Sequence, residues 1–364
     1  MARNKFLLRW LSTKIAVLHD YFALRGGGER LIINLARALK ADIYTGFVDR
    51  EKTFDMRDLN VTEIGHKISN PIMRTIYLME KFKRLNLKGK YDFFIFSGTL
   101  CISAVHNKPN LIYLHTPPRH MYDLRQWFYS NSGILGKIGL RLLHSYLYSR
   151  DQKYMRQFST ICPNSENVAL RIKKFYGQEL YKRCRVVYTG IETKKFRHKR
   201  SEGFYLSASR LDPLKRIDIL IEAFRKMPGK KLVIAGTGPE ESALKKLASG
   251  LGNIKFVGSV TEEQMLNLYA RCSGVISANI SEDLGLTAIE CQAAGKPAIA
   301  VEEGGFKETV IKNKTGLFFR PNVDSLVKAV NKAEKTNWDY KAIQENSRKY
   351  DIKTFVSNIK SIIG

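Results

Sequence analysis

The sequence is short of acidic residues and of cysteine, and it has no long apolar run. Its 34 Asp and Glu stand against 61 Lys and Arg, so the formal net charge is +27 over 364 residues. Such an excess predicts a polyanionic partner: nucleic acid, an anionic membrane face or a phosphorylated ligand. Residues 1–185 hold 32 basic and 14 acidic residues, a net charge of +18, so most of the excess lies in the first half.

The five cysteines are odd in number, widely spaced and mostly inside apolar runs. This usage predicts reduced thiols in a cytosolic protein, without a disulfide framework or a zinc site. No stretch reaches the roughly 18 uninterrupted apolar residues that a membrane-spanning helix requires. Residues 1–11 begin like a signal peptide, but Arg9 interrupts the apolar part. We therefore expect a short amphipathic surface anchor or a plain extension there.

The rest of the composition is that of a folded two-domain protein. A hydrophobic content of 44% with 11% aromatics excludes a disordered chain, and the length suffices for two cores. Short apolar runs alternate with helix-length segments, which predicts parallel α/β domains. The polar, basic stretch 192–203 reads as a linker. We place the first domain at 1–190, joined by a C-terminal helix within 345–364, and the second at 191–344.

The predicted elements frame the candidate sites. In the first domain we expect helices over 30–39 and 166–175, the second capped by Ser165, and strands over 14–20, 41–45, 91–97, 111–115, 159–164 and 185–191. In the second we expect strands over 204–209, 231–235, 254–260, 275–278 and 296–301, and helices over 217–227 and 286–294.

The stretch 277–295 carries the strongest functional signal. It predicts a buried strand, a loop and then a helix, whose first N–H groups, at Gly285, Leu286 and Thr287, could hold phosphate or sugar oxygens. Glu282 lies in the loop and Glu290 about one turn into the helix, so both carboxylates can face one ligand. Glu is usually solvated, but the run 287–294 is too apolar and small for an exposed face. The pattern suits a nucleotide-sugar.

Two further loops follow predicted strands. Arg210 and Lys215 flank a stiffening proline, and together they would clamp a pyrophosphate, although a charge cluster is more often a solvated face. Three glycines at 26–28 stand between a strand and a helix, and they fit either a phosphate-binding loop or a tight turn without a ligand.

His115 ends the predicted strand 111–115 and precedes a rigid Pro-Pro turn. Ligands of open α/β sheets bind beyond the carboxyl ends of the strands. A lone histidine is more often structural, but this position favours a functional one.

These segments resemble the retaining glycosyltransferases of family 4. Glu282-x-x-Gly285-x-x-x-x-Glu290 is similar to their E-x7-E motif, with Leu284 in place of the more usual Phe. SRLDPLKRID at 209–218 resembles their donor-diphosphate segment, and GGGER at 26–30 their glycine loop. HTPPRHMYD at 115–123 resembles the H-T-P-x-R-Y-x-W-D segment of a branch that includes O-antigen mannosyltransferases, from which it departs at 121–122.

The resemblance implies the GT-B fold, in which two Rossmann-like parallel-sheet domains face a cleft and a C-terminal helix crosses back to the first domain. It implies retaining transfer of a hexose, with mannose from GDP-mannose as first candidate, to a hydroxyl of a glycan or lipid-linked acceptor. Attack on the front face, with the departing phosphate taking the acceptor proton, is the family expectation. The implied roles are Arg210 and Lys215 on the diphosphate, Glu282 on the sugar hydroxyls, Glu290 on the ribose, His115 positioning the sugar, Gly27 and Gly28 facing the donor, and Val260 bordering the nucleobase.

We expect no cofactor beyond the GDP- or UDP-linked co-substrate, and no metal. The sequence has no D-x-D, so Arg210, Lys215 and helix N-termini would neutralise the leaving group. A nucleic-acid-binding protein would need a recognisable module, which is missing. A GT-B enzyme of another reaction, such as a sugar-nucleotide epimerase, is not excluded by fold, but such enzymes differ at the matched segments.

Two basic stretches rich in aromatics, 73–90 and 124–156, bear on location. In the first, Ile76, Leu78, Phe82 and Leu85 alternate with basic residues, as in a helix lying on an anionic bilayer. A solvated helix whose apolar face is core fits equally well. The charge favours peripheral attachment to the cytoplasmic face of a membrane.

Overall fold

The computed structural model describes residues 13–364, and the predicted anchor at 1–11 lies outside them. The chain forms two compact units. The first runs to Tyr188 and takes in Val356–Gly364, and the second is Thr189–Phe355. No helix within 13–364 is both long and apolar enough to cross a membrane.

The first unit contains a six-stranded parallel sheet in the order β3-β2-β1-β4-β5-β6. Its strands are β1 (Ile15–His19), β2 (Asp42–Thr45), β3 (Val61–Glu63), β4 (Phe93–Ser97), β5 (Asn110–Leu114) and β6 (Thr160–Pro163). Its helices are α1 (Gly27–Leu39), α2 (Pro71–Lys83), α3 (Arg125–Ser130), α4 (Ile134–Met155), α5 (Glu166–Tyr176) and α6 (Gln178–Lys182), with a 3-10 turn at Cys101–Ala104.

The second unit contains another six-stranded parallel sheet, in the order β12-β11-β10-β7-β8-β9. Its strands are β7 (Phe204–Ala208), β8 (Lys231–Ala235), β9 (Ile254–Gly258), β10 (Gly274–Ser277), β11 (Ala298–Val301) and β12 (Gly316–Phe319). Its helices are α7 (Ile217–Arg225), α8 (Glu241–Leu247), α9 (Glu262–Arg271), α10 (Leu286–Ala293), α11 (Phe306–Thr309), α12 (Val323–Lys335) and α13 (Tyr340–Ser347). A last helix, α14 (Ile352–Ile363), begins in this unit and ends in the first.

Both sheets have the same doubly wound strand order. Each chain segment starts in the middle of its sheet, winds to one edge and returns to build the other half. β1, β5, β7, β10 and β11 are buried along their whole length, which is why they read as continuous apolar runs. The order reverses between β1 and β4 and between β7 and β10. Ligands of such sheets bind at this switch point, outside the carboxyl ends of the strands. The predicted α/β architecture of two parallel-sheet domains is confirmed.

The predicted strand over 185–191 is wrong, and Pro163 supplies the reason. Arg185 and Val187 donate their N–H groups to the carbonyls of Ile161 and Pro163 on β6. The return bond to the Arg185 carbonyl would have to come from the nitrogen of Pro163, which has no hydrogen. The ladder is interrupted there, and the segment is irregular.

Two helices of the first unit also bear on the predictions. Helix α1 begins at Gly27, before the predicted 30, so two of the three glycines lie in its first turn. In α2, Leu78, Met79 and Phe82 are buried in the core of the first unit. Of the two interpretations of this helix, the one in which its apolar face is core is therefore correct.

Candidate active site

An ion pair marks the switch point of the second unit. The loops that follow β7 and β10 leave adjacent parallel strands on the same edge of the sheet. Lys215, in the first loop, places its Nζ 3.2 Å from Oε2 of Glu282 in the second. The Asn279 amide donates to the same oxygen. The two charged side chains are 26% and 21% exposed, so both remain accessible to a ligand.

A backbone hydrogen bond joins these two loops. Asp212 caps the 3-10 turn Pro213–Lys215 by accepting the Leu214 N–H at 3.0 Å. The carbonyl of Leu214 in turn accepts the N–H of Ile280 at 2.8 Å. This bond joins the two loops one residue before Lys215 and two residues before Glu282. It therefore fixes the positions of these two residues relative to each other.

Two glycines after β11 support Glu282 from its other side. The Gly305 N–H donates to the Glu282 carbonyl at 2.8 Å. A Cβ on Gly304 would lie 2.4 Å from that same carbonyl oxygen, and φ there is +55°. A Cβ on Gly305 would lie 2.3 Å from the carbonyl of Asp283. Any side chain at either position would push the Glu282 loop away.

The N-terminus of α10 opens beside this pair. Gly285 precedes the helix at φ +88°, and a Cβ there would lie 2.6 Å from the Phe306 ring. The hydroxyls of Ser277 and Thr287 are 3.2 Å apart and tie the end of β10 to the first turn of α10. Leu286 and Thr287 are half-buried. Their N–H groups and the helix dipole favour an anion at this end.

Glu290 lies further along α10 and faces inward. Its Oε2 accepts the hydroxyl of buried Tyr269 on α9 at 2.6 Å. Burial first, and then the Glu290 charge, raises the pKa of Tyr269 well above its usual range, so this phenol remains a donor. Val260, beyond β9, is half-buried against the same apolar cluster as Tyr269.

Arg210 follows β7 and its side chain is exposed. Its neighbour Ser209 lies against the end of β8, where a Cβ on Gly236 would come within 1.9 Å of the Ser209 carbonyl. The Gly236-x-Gly238 turn thus lets the arginine loop cross the sheet edge. Arg216 instead pairs with Glu303 at 3.1 Å.

In the first unit, a histidine cluster lies at the carboxyl ends of β1, β4 and β5. Nε2 of His115 is 3.2 Å from the Ser97 hydroxyl, and Nδ1 of His19 is 2.5 Å from the Ser97 carbonyl. A Cβ on Gly28 would touch the His115 ring at 3.4 Å, so these two predicted site residues are neighbours. Burial, with a smaller contribution from His19, lowers the pKa of His115 to about 4. The imidazole is therefore neutral at physiological pH.

The glycine stretch is capped by its own chain. The Glu29 carboxylate accepts the N–H groups of Ala23, Leu24 and Gly26. Gly27 and Gly28 follow as the first residues of α1, so their amides belong to a helix N-terminus, which is a site type that suits phosphate.

Sequence reasoning missed several supporting residues. Asp20 accepts the N–H groups of Thr99, Leu100 and Cys101 across the β1–β4 switch point. Asn279 and Tyr269 hold the two site carboxylates. The available signal for Asp20 was its place at the end of a predicted strand, the same signal that singled out His115.

All five cysteines are free thiols, and four are buried. Within residues 13–364, no group of three or more His, Cys, Asp or Glu is arranged to hold a metal ion.

Comparisons with known proteins agree with this architecture. Residues 190–350 match the family model described as glycosyl transferases group 1. An alpha-1,3/1,6-mannosyltransferase of Dictyostelium discoideum, ALG2, is 27% identical over 96% of this chain and 97% of its own length. A D-inositol 3-phosphate glycosyltransferase of Mycobacteroides abscessus is 37% identical over 30% of this chain and 26% of its own length.

Solved structures share the whole fold. Anabaena HepE in complex with UDP and glucose matches with a TM-score of 0.73 at 18% identity, covering 96% of this chain and 99% of that one. The apo form of the lipopolysaccharide outer core galactosyltransferase WaaB matches with a TM-score of 0.73 at 15% identity, covering the same shares. The chain thus has the two-domain GT-B fold of these structures, and residues 190–350 of its second unit match the group 1 glycosyl transferases.

Proposed function

We propose that this protein is a retaining hexosyltransferase that moves mannose from GDP-mannose to a hydroxyl of a glycan or lipid-linked acceptor. The observation that carries the proposal is the contact between Lys215 and Glu282 at the switch point, beside the N-terminus of α10. The ammonium and the helix N–H groups suit a diphosphate, and the carboxylate suits sugar hydroxyls. The similarity to the Dictyostelium mannosyltransferase supports mannose as the transferred sugar. The UDP bound to Anabaena HepE supports a UDP-linked sugar as the alternative donor.

The proposed reaction requires no cofactor. The bond from sugar C1 to the diphosphate oxygen breaks while the acceptor oxygen bonds C1 from the same face. The acceptor proton passes to a departing phosphate oxygen, so the products are a glycoside of unchanged anomeric configuration and a nucleoside diphosphate. Lys215, Arg210 and the α10 N-terminus stabilise the developing diphosphate charge. Glu290 is proposed for the ribose, and His115 offers a neutral imidazole that can hydrogen-bond a hydroxyl without adding charge.

A donor panel tests the proposal. Purified protein is incubated with GDP- and UDP-linked sugars, and nucleoside diphosphate release is measured with and without acceptor. We expect the fastest release from GDP-mannose, with an α-linked product by NMR. Interconversion of sugar epimers without nucleoside diphosphate release would favour the epimerase instead, and an inverted product would contradict retention.

We also propose that the first unit docks on the anionic cytoplasmic leaflet of a membrane, so that the protein is a peripheral enzyme. The amino-terminal half of α4 exposes a stripe of apolar side chains that are 54 to 86% exposed: Ile134, Leu135, Ile138 and Leu142. Residues 124–150 contain four basic residues and no Asp or Glu. An exposed apolar stripe inside an acid-free segment fits a negatively charged lipid surface.

A further inference from the structure

The first unit contains a cavity of about 350 Å³ that lies between α2, α4 and the turn after β4. We propose that this cavity holds the phosphate-proximal segment of the hydrocarbon chain of a lipid-linked acceptor. The inference rests on the proposed function, because it names the class of acceptor that the proposed transferase would use.

The wall of the cavity is mostly apolar. Its apolar side chains include Met79, Leu100, Met121, Leu140, Leu143 and Leu147. The three leucines come from α4 at i, i+3 and i+7 and form one face of that helix. The exposed stripe, with Ile134, Ile138 and Leu142 at i, i+4 and i+8, forms another. A helix that is apolar on more than one face is normally buried all round, yet this one is open on the outside.

Most polar side chains at the cavity are already engaged, while His120 lies against the Phe128 ring. Asp20 is occupied by three backbone N–H groups. Asp151 accepts the Tyr122 hydroxyl, and the Thr75 hydroxyl donates to the Pro71 carbonyl. A saccharide would need unengaged partners for each hydroxyl it brings, whereas a hydrocarbon chain needs none. The lining thus favours a chain.

The rim supplies one cation. Arg74 is half-buried, with its guanidinium 5.2 Å from the centre of the Tyr21 ring, and it lines the cavity.

The cavity volume of about 350 Å³ is at the small end of ligand pockets, which span roughly 300 to 1,000 Å³. It accommodates only a short stretch of chain, so the remainder would stay in the bilayer, where the stripe on the same helix would lie.

Alkyl phosphates below their critical micelle concentration are the probes. Isothermal titration calorimetry with hexyl, octyl, decyl and dodecyl phosphate should show affinity rising about fourfold for each methylene that enters the cavity, and then levelling off. Inorganic phosphate should compete weakly. The binding heat capacity should be negative, as apolar burial requires.

Two filling variants test the location. Leu143→Trp and Leu140→Trp each place an indole in the cavity, and each should weaken decyl phosphate binding by about tenfold or more. Leu170→Trp is the matched control, because Leu170 is an exposed leucine on α5 of the same unit. Circular dichroism and melting temperature verify the fold of all three. Wild-type affinity in both filling variants, or affinity that does not depend on chain length, would overturn the inference.

The binding measurement needs neither donor nor turnover. If the donor panel fails while chain binding behaves as described, the proposed reaction is wrong and the cavity is a hydrocarbon-binding site without an acceptor role. If the enzyme glycosylates a water-soluble acceptor but binds no alkyl phosphate, only the inference of this subsection fails.

Discussion

At the scale of single residues, the Lys215 ammonium contacts one carboxylate oxygen of Glu282. Substituting either side chain therefore tests the same contact. We predict that Glu282→Gln and Lys215→Ala each lower kcat by at least about tenfold, because one lost transition-state contact is typically worth 1.4 kcal/mol or more. Lys226→Ala is the matched control, since Lys226 forms an exposed pair with Asp324 in the same unit. Unchanged turnover with an intact circular dichroism spectrum would remove the altered residue from the site.

His115 should matter more for catalysis than for stability. We predict that His115→Ala lowers kcat by about tenfold or more, because a contact to the sugar is lost, while the melting temperature changes little. If the melting temperature falls while kcat is unchanged, His115 has a structural role only.

The pH dependence of stability gives His115 a second readout. Its folded pKa of about 4 lies below the ordinary 6.5. As pH falls through 6.5 the unfolded chain binds a proton that the folded protein does not. His115 therefore makes its full contribution to the free energy of unfolding above pH 6.5. That contribution decreases as the pH falls from 6.5 to about 4. His19 acts in the same direction. Urea titrations should show less acid destabilisation in His115→Gln than in wild type.

At the scale of elements, the Gly304-Gly305 turn sets the position of the Glu282 loop. We predict that Gly305→Ala lowers turnover by about tenfold to a hundredfold, since its Cβ would displace the backbone of Asp283 and shift the carboxylate. Gly229→Ala is the control, because a Cβ there meets nothing within 4 Å. Equal activity in the two variants would mean that the loop tolerates the displacement.

The N-terminus of α10 bears on metal dependence. In the proposed reaction this N-terminus, together with Arg210 and Lys215, would compensate the charge of the departing diphosphate. We predict that EDTA leaves the rate of a dialysed enzyme within about twofold. Activity that is lost and then restored by manganese or magnesium would contradict this charge argument.

Much of the element layout could be predicted, and its failures have physical causes. The helices expected at 217–227 and 286–294 appear as α7 and α10, because apolar periodicity and flanking glycine are local signals. The strand over 185–191 failed because its partner strand ends in Pro163, which is remote in sequence. Lys215 and Glu282 were identified separately, but their contact joins positions 67 residues apart. The amides that Asp20 accepts lie 79 to 81 residues away. Such partners are defined only by the fold.

At the scale of the whole molecule, charge and the α4 stripe predict how the protein binds membranes. Co-sedimentation should occur with anionic vesicles and weaken at high salt, because each basic residue near such a surface contributes roughly 1 kcal/mol, screened over a Debye length of about 8 Å. Binding should fall when the exposed residues Lys81, Lys83, Arg84, Lys88 and Lys90 are neutralised. Neutralising five exposed lysines of the second unit instead, Lys226, Lys231, Lys245, Lys246 and Lys255, should leave binding as in wild type.

Two other outcomes of the vesicle assay carry distinct meanings. Equal binding to neutral vesicles would show that the apolar stripe alone is sufficient. Absence of binding to both kinds would contradict membrane docking and leave the charge to serve phosphorylated ligands.

The division of the chain has a consequence for biosynthesis. The first unit is discontinuous, since Val356–Gly364 completes it and Ile359 within that segment is buried. A ribosome must translate the whole of Thr189–Phe355 first, which takes roughly 10 to 30 s at typical elongation rates. During that interval the nascent first unit lacks the segment Val356–Gly364. The second unit is continuous and can fold as soon as it emerges, so the domain made first is the one finished last.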